Sequence, residues 1–238
     1  MKGGSLLDAI LTLVQPTPVP SNLDPVAEAH HRIANSLTLL VSMLRMQTAS
    51  VKTRAQSYSS AEVRHLLDGV AARISTISQL HRILSRIGND GVTSLKPHLQ
   101  EVTDALAAAL SSPEQQQVRV LHTGGDCQVL TRHVQPIVLI LCEIFVNAMK
   151  YAHPAGVPLI IIVECEPAAD GQMILTVSDD GVGLPEGFEP ERDGGMGFKM
   201  MQKLAEAIGG QFEIRSTHLG LSLRLSLPAS TVAGAKLA

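Results

Sequence analysis

From Pro25 onward the apolar positions Val26, Ile33, Leu37, Leu40 and Leu44, with His30 filling the gap, recur in alternating steps of four and three. That rhythm is the seam of a helix packing against other helices. A polar interval, Thr48 to Ser60, separates it from a second such segment. There Val63, Leu67, Val70, Ile74, Ile77, His81 and Leu84 keep a similar spacing until Gly88-Asn89-Asp90-Gly91 breaks it. Two long helices joined by a polar loop predict an antiparallel hairpin. One hairpin offers a narrow apolar stripe on each helix and no third partner, so pairing with a second copy into a four-helix bundle is the economical way to bury both. A homodimer is expected.

Further along, the pattern changes character. Helical periodicity at 95–110, 132–152 and 196–208 alternates with β-branched or apolar runs at 118–122, 159–164, 173–178, 211–215 and 221–227. This predicts a mixed α+β domain. Gly209-Gly210 ends the last helix and Pro228 the last strand. The expected organisation is a stub and Pro-rich linker at 1–24, built from the amphipathic Leu6 to Val14 followed by Pro16, Pro18 and Pro20. The helical hairpin follows at 25–91, the α+β domain at 92–229 and a flexible tail at 230–238.

Composition narrows the function. A chain of 238 residues with 45% apolar residues can bury a substantial core. A formal charge of -3 with 17% charged residues supplies no basic field, which argues against nucleic acid as a partner. Cys127, Cys142 and Cys165 are odd in number and widely spaced, as expected of reduced, buried thiols. The longest apolar stretches, around Ile137 to Val146 and Leu159 to Val163, fall short of the roughly 20 residues that span a bilayer. No cleaved signal is expected at the N-terminus, where Asp8 and Pro16 interrupt a short apolar run. A cytoplasmic protein without membrane contact is the expectation.

Three constellations carry candidate chemistry. On the helix from Arg132, Glu143, Asn147, Lys150 and Tyr151 fall at i, i+4, i+7 and i+8 and so share one face. An amide oxygen beside a carboxylate suits a magnesium ion that keeps several waters and bridges nucleotide phosphates, and Lys150 adds positive charge. Taken alone, the row is equally an ordinary solvated Glu-to-Lys stripe. The second constellation, Ser178-Asp179-Asp180-Gly181-Val182-Gly183, follows a strand. A carboxylate there can accept a hydrogen bond from an exocyclic amine while the glycines admit a flat ligand. In isolation it is also a tight turn. The third, Gly194-Gly195-Met196-Gly197-Phe198, opens a helix and presents backbone N–H groups to phosphate. Its spacing fits neither a dinucleotide fingerprint nor a Walker loop. Between the last two lies a charged run, Glu186 to Asp193, suited to a mobile lid.

In this order the three blocks resemble the N box and the two glycine boxes of the Bergerat ATP-binding fold, shared by histidine kinases, heat-shock chaperone ATPases and the DNA gyrase ATPase. The resemblance implies an α/β sandwich with an ATP pocket between a mixed sheet and helices. It implies Asn147 as the magnesium ligand, Asp179 as the adenine-amine acceptor, Gly181 and Gly183 as the turn under the base, and Gly195 and Gly197 as the hinge at the triphosphate. Glu143 matches the N-box carboxylate, which in the ATPases polarises an attacking water. In a kinase the nucleophile is a side chain instead.

Upstream, Glu28-Ala-His30-His31-Arg32-Ile-Ala-Asn35 is similar to the His-Arg-x-x-Asn motif of one branch of histidine kinases, in which the His before Arg is phosphorylated. Helical phase agrees. His30 sits in the apolar seam, whereas His31 starts a stripe with Asn35, Thr38, Ser42 and Arg45 that should face solvent. A partly neutral imidazole can attack a γ-phosphoryl group, and Glu28, three residues back, could hold one ring nitrogen and present the other. Glu28, Asn35 and Glu143 are therefore candidate catalytic residues beside His31. The likeness covers nearly all of the chain from Pro25 to Pro228. It departs at Ala34 and Ser36, where the family usually has Lys and a second Asn. Relatives with an N-box His and a Trp-x-Glu string are excluded by Cys142 and by the absence of Trp.

The resemblance implies a protein histidine kinase that uses ATP and Mg2+ to phosphorylate His31. The phosphoryl group then passes to an aspartate on the receiver domain of a response regulator in two-component signalling. Input would come from a sensor protein or a missing sensor segment. The alternatives are a histidine phosphotransferase relay descended from a kinase, which would not need the ATP-site residues, and a regulatory ATPase of the same fold, which would not need His31.

Overall fold

The computed structural model describes residues 91–110, 117–153, 157–168 and 172–228 continuously, together with isolated positions between 59 and 78. The elements are β1 (Val92–Ser94), α1 (Lys96–Leu110), β2 (Val118–Gly124), β3 (Gln128–Leu130), α2 (Thr131–Tyr151), β4 (Leu159–Pro167), β5 (Met173–Asp179), α3 (Pro190–Asp193), α4 (Met196–Ala207), β6 (Gln211–Thr217) and β7 (Gly220–Leu227). Strands β2, β4, β5, β7 and β6 lie side by side in that order as a five-stranded sheet. The β2–β4 pair is parallel and the remaining pairs are antiparallel. This is the expected α/β sandwich.

Period-two burial on the strands explains how the layers meet. Along β5, Met173, Leu175 and Val177 are buried while Ile174, Thr176 and Ser178 are only half-buried. Leu159, Ile161 and Val163 of β4 and Leu223, Leu225 and Leu227 of β7 turn to the same side. Against this face α1 lays Leu99, Val102 and Leu106, and α4 lays Met200, Met201 and Leu204. Helix α2 contributes most. Its run from Ile137 to Phe145 is buried throughout, including the fully enclosed Phe145. By length and composition α2 could cross a membrane, which the short apolar runs in the sequence did not suggest. With 72% of its apolar window buried inside the domain, however, it is a core helix here. Cys127, Cys142 and Cys165 are buried and free of disulfides.

A two-stranded antiparallel ladder of β1 with β3, Val92 opposite Leu130, was not anticipated, because strands of three residues show too little alternation to detect. Asp126 organises this corner. Its Oδ1 accepts from Ser94 Oγ at 2.8 Å and from the Lys96 N–H that opens α1 at 3.2 Å, and its Oδ2 accepts from Gln128 Nε2 at 3.2 Å. Leu95 N–H adds a bond to the Cys127 carbonyl at 2.9 Å.

Among the isolated positions, Ser60, Val63, Arg64, Leu67, Val70, Ala71, Ile74 and Ser78 are helical. Val63, Leu67, Val70 and Ile74 belong to the second predicted seam, and Val63, Leu67 and Ile74 stand 42, 62 and 46% exposed. The first helix, with His31, Glu28 and Asn35, lies outside the described residues, as do the N-terminal stub and the tail.

Asp126→Ala removes the acceptor for the α1 N-terminus and is expected to cost about 1–2 kcal/mol, read as a lower denaturation midpoint with an unchanged m-value.

Candidate active site

The polar face of α2 emerges from the core beside the C-terminal end of β5 and the start of α4. There it lines a cavity of about 580 Å³, within the size range of small-molecule sites. Glu143, Asn147, Lys150 and Tyr151 all border it, as the helical spacing requires. The row runs from core to solvent: Glu143 is 2% exposed, Asn147 is half-buried, Lys150 is exposed and Tyr151 is 60% exposed. Lys150 Nζ stands 4.8 Å from the Tyr151 ring centroid, so the ammonium sits over an aromatic face at the cavity mouth. Ile144, Ile214, Leu221 and Leu223 supply apolar wall.

Asp179 ends β5 and borders the same space. Its Oδ1 accepts two backbone N–H groups, from Gly181 at 2.9 Å and from Leu221 at 3.2 Å. Burial raises its pKa above the usual carboxylate range, and those two N–H groups only partly oppose the shift. Gly220 makes the second bond possible. It adopts φ +134°, and a Cβ there would strike the Asp179 carbonyl, so only glycine lets β7 start this close. Gly220 is not evident from sequence, since nothing local to residues 217–221 points to Asp179.

The neighbouring Asp180 does a different job. Its Oδ1 lies 2.9 Å from His153 Nε2 just beyond α2 and accepts the Ile160 N–H of β4 at 2.9 Å. Burial alone would raise its pKa, but the Ile160 N–H and the His153 ring hold it below the ordinary range. This clip joins α2 to β4.

Of the four candidate glycines, three border the cavity and one does not. Gly183 borders the cavity with φ +71°, and a Cβ on it would press into Ser216 Oγ at 2.6 Å. Gly181 does not border it. A Cβ there would meet Ala152 at 2.5 Å, and the next N–H, of Val182, bonds the Ala152 carbonyl at 2.9 Å. The pair thus seats the turn on the end of α2 and on the β6–β7 hairpin. Gly195 is the N-cap of α4, and both Gly195 and Gly197 border the cavity. The charged run before them contains the short helix α3, where Arg192 pairs with Glu189 at 3.0 Å and Asp193 at 2.8 Å. Asp193 is held below the ordinary carboxylate range by Arg192. Phe188, Pro190 and Asp193 face the cavity.

Comparison with known proteins decides the family. A family model described as histidine kinase matches residues 28–110, and one described as histidine kinase-, DNA gyrase B- and HSP90-like ATPase matches residues 133–231. The chain belongs to the histidine kinase family. Its α/β sandwich is the Bergerat-type ATPase domain of that family. Among curated histidine kinases, it is 28% identical over 186 residues to the sensor histidine kinase PdtaS of Mycobacterium tuberculosis, covering 76% of this chain and 34% of that protein. It is 21% identical over 206 residues to the blue-light-activated histidine kinase 2 of Erythrobacter litoralis, covering 86% of this chain and 57% of the relative. The chain therefore spans between about a third and three-fifths of the length of these two relatives. The solved blue-light activated histidine kinase EL346 of Erythrobacter litoralis superimposes with a TM-score of 0.62 at 21% identity, over 90% of this chain and 62% of the other, which shows the shared fold.

Because the Asp179 pKa is raised on folding, its contribution to stability is fully present below the unfolded carboxylate pKa and is lost as pH rises through the folded value. The ionised group is a net cost at neutral pH. Asp179→Asn keeps an oxygen for Gly181 and Leu221, so its unfolding midpoint at pH 7 should equal or exceed wild type. Acidification below the carboxylate range should abolish any gain. Urea titrations at both pH values check this.

Proposed function

We propose that this chain is the catalytic core of an ATP-dependent protein histidine kinase that phosphorylates itself on His31 and passes the group to an aspartate of a response-regulator receiver domain. One observation carries the ATP half of this reading: a single cavity gathers Asn147, Lys150, Asp179, Gly183, Gly195 and Gly197 from three separate stretches of sequence. Asp179, with both backbone N–H groups on Oδ1, has Oδ2 to accept the exocyclic amine of adenine. The apolar wall suits the base, while Lys150 and the α4 N-terminus suit the phosphates.

Among the described residues no cluster of three or more His, Cys, Asp or Glu side chains could hold a metal. The half-buried Asn147 amide on the cavity wall fits a hard cation that arrives with the nucleotide and is held mostly by phosphates and water. Asn147 would hold Mg2+, which when bound supplies charge neutralisation between the phosphates.

The phosphotransfer half rests on 25–91 as a helical hairpin and on the family match over 28–110. In this reading a neutral ring nitrogen of His31 attacks the γ-phosphorus, the bond to the β-phosphate oxygen breaks, and ADP leaves. Glu28 and Asn35 orient the imidazole from the same helix. Catalysis is positioning and electrostatics. Two hairpins pairing as a four-helix bundle would cover Val63, Leu67 and Ile74, which otherwise expose a helical apolar stripe. The resulting homodimer, the regulator and a sensor that delivers input are the implied partners.

Incubation with γ-labelled ATP and magnesium tests the whole reading. Wild type should acquire acid-labile, alkali-stable label, and His31→Ala and Asn147→Ala should reduce it by about a hundredfold or more. ATP hydrolysis without any phosphoprotein, unchanged in His31→Ala, would reject the kinase in favour of an ATPase.

A further inference from the structure

The first turn of α4 lacks anions of its own. It has no acidic residue, and its N-cap, Gly195, provides no side-chain hydrogen bond, although its carbonyl accepts the Phe198 N–H at 3.1 Å. A helix start in that condition carries partial positive charge and unsatisfied donors. The fold brings a carboxylate to it from a different helix. Glu143, deep in α2 and 2% exposed, places its Oε2 so close to Gly197 that a Cβ built there would stand 2.6 Å from it. Gly197 is absent from the positive-φ glycines, so its backbone does not call for glycine. A side chain at 197 would have to displace the buried Glu143 carboxylate. The neighbouring Gly195 shows the contrast, since a Cβ there would meet nothing within 4 Å.

We infer that Glu143 is a positioning residue: its carboxylate lodges in the gap left by Gly197 and sets where α4 begins, and with it the phosphate-facing edge of the cavity. The inference rests on the reading of the cavity as an ATP site and deepens it. It gives the N-box carboxylate a task in the nucleotide-free molecule, apart from the reacting atoms. The rest of α4 is pinned by Met200, Met201 and Leu204 in the core, so a side chain at 197 cannot be accommodated by sliding the helix without disturbing that packing.

The test is a double-mutant cycle on the full chain. Gly197→Ala is combined with wild-type Glu143, with Glu143→Gln, which keeps the size, and with Glu143→Ala, which removes it. ADP and adenosine affinities are measured by calorimetry with magnesium, and unfolding midpoints are measured without ligand. Gly197→Ala should weaken ADP about tenfold in the wild-type and Gln backgrounds but less than about threefold in the Ala background. Adenosine affinity should change less than about twofold throughout, because the displaced edge faces the phosphates. Unfolding midpoints should show the same coupling. Equal losses in all three backgrounds, in binding and in stability, would overturn the inference. Coupled midpoints in a protein that binds no ADP would leave the interlock standing and reject only the ATP reading.

Discussion

Burial of α2 against the sheet is the constraint on which the rest of the domain depends. A helix of 21 residues can act as a core element only if most of its circumference is apolar, and from Ile137 to Phe145 it is enclosed by β4, β5, α1 and α4. From Glu143 onward its polar residues are confined to one row, Glu143, Asn147, Lys150 and Tyr151. Wherever that row emerges, the helix must border either solvent or a cavity. Because β5 ends and α4 begins beside it, the result is a cavity with apolar lining and polar groups on more than one side, a form suited to a ligand with a flat base and a charged tail.

Asp179 fixes the opposite side. Two strands and a turn converge on one carboxylate oxygen, which accepts N–H groups separated by 40 positions in the chain. Burying a carboxylate opposes folding, as its raised pKa records. The cost falls at the strand end facing the cavity, and Asp180 alongside clips His153 to β4. Of two adjacent aspartates, one thus borders the cavity and the other ties the end of α2 to β4.

Much of this was legible in the sequence. The row on α2 follows from helical spacing alone, and the core strands follow from alternation, with β5 and β6 only one or two residues longer than expected. Other features were hidden for physical reasons. The β1–β3 ladder is too short to show a period. Asp126 caps a helix 30 residues away, a contact fixed by tertiary approach. Gly220 matters because of Asp179 across a strand pair, and Gly197 because of Glu143 on another helix. The glycines of the Asp-Asp-Gly-x-Gly turn were located by sequence, but part of their reason is close packing on Ala152 and Ser216, which no local pattern encodes. His31 and its helix rest on motif and helical phase.

The central claim is that Asp179 reads an adenine amine in this cavity. Its most direct measurement is the relative affinity of the full chain for non-hydrolysable ATP and GTP analogues under identical magnesium and salt. An acceptor at Asp179 matched to the adenine amine, but opposed by the guanine carbonyl, predicts ATP binding at least about a hundredfold tighter than GTP. Equal affinity for the two would contradict the account.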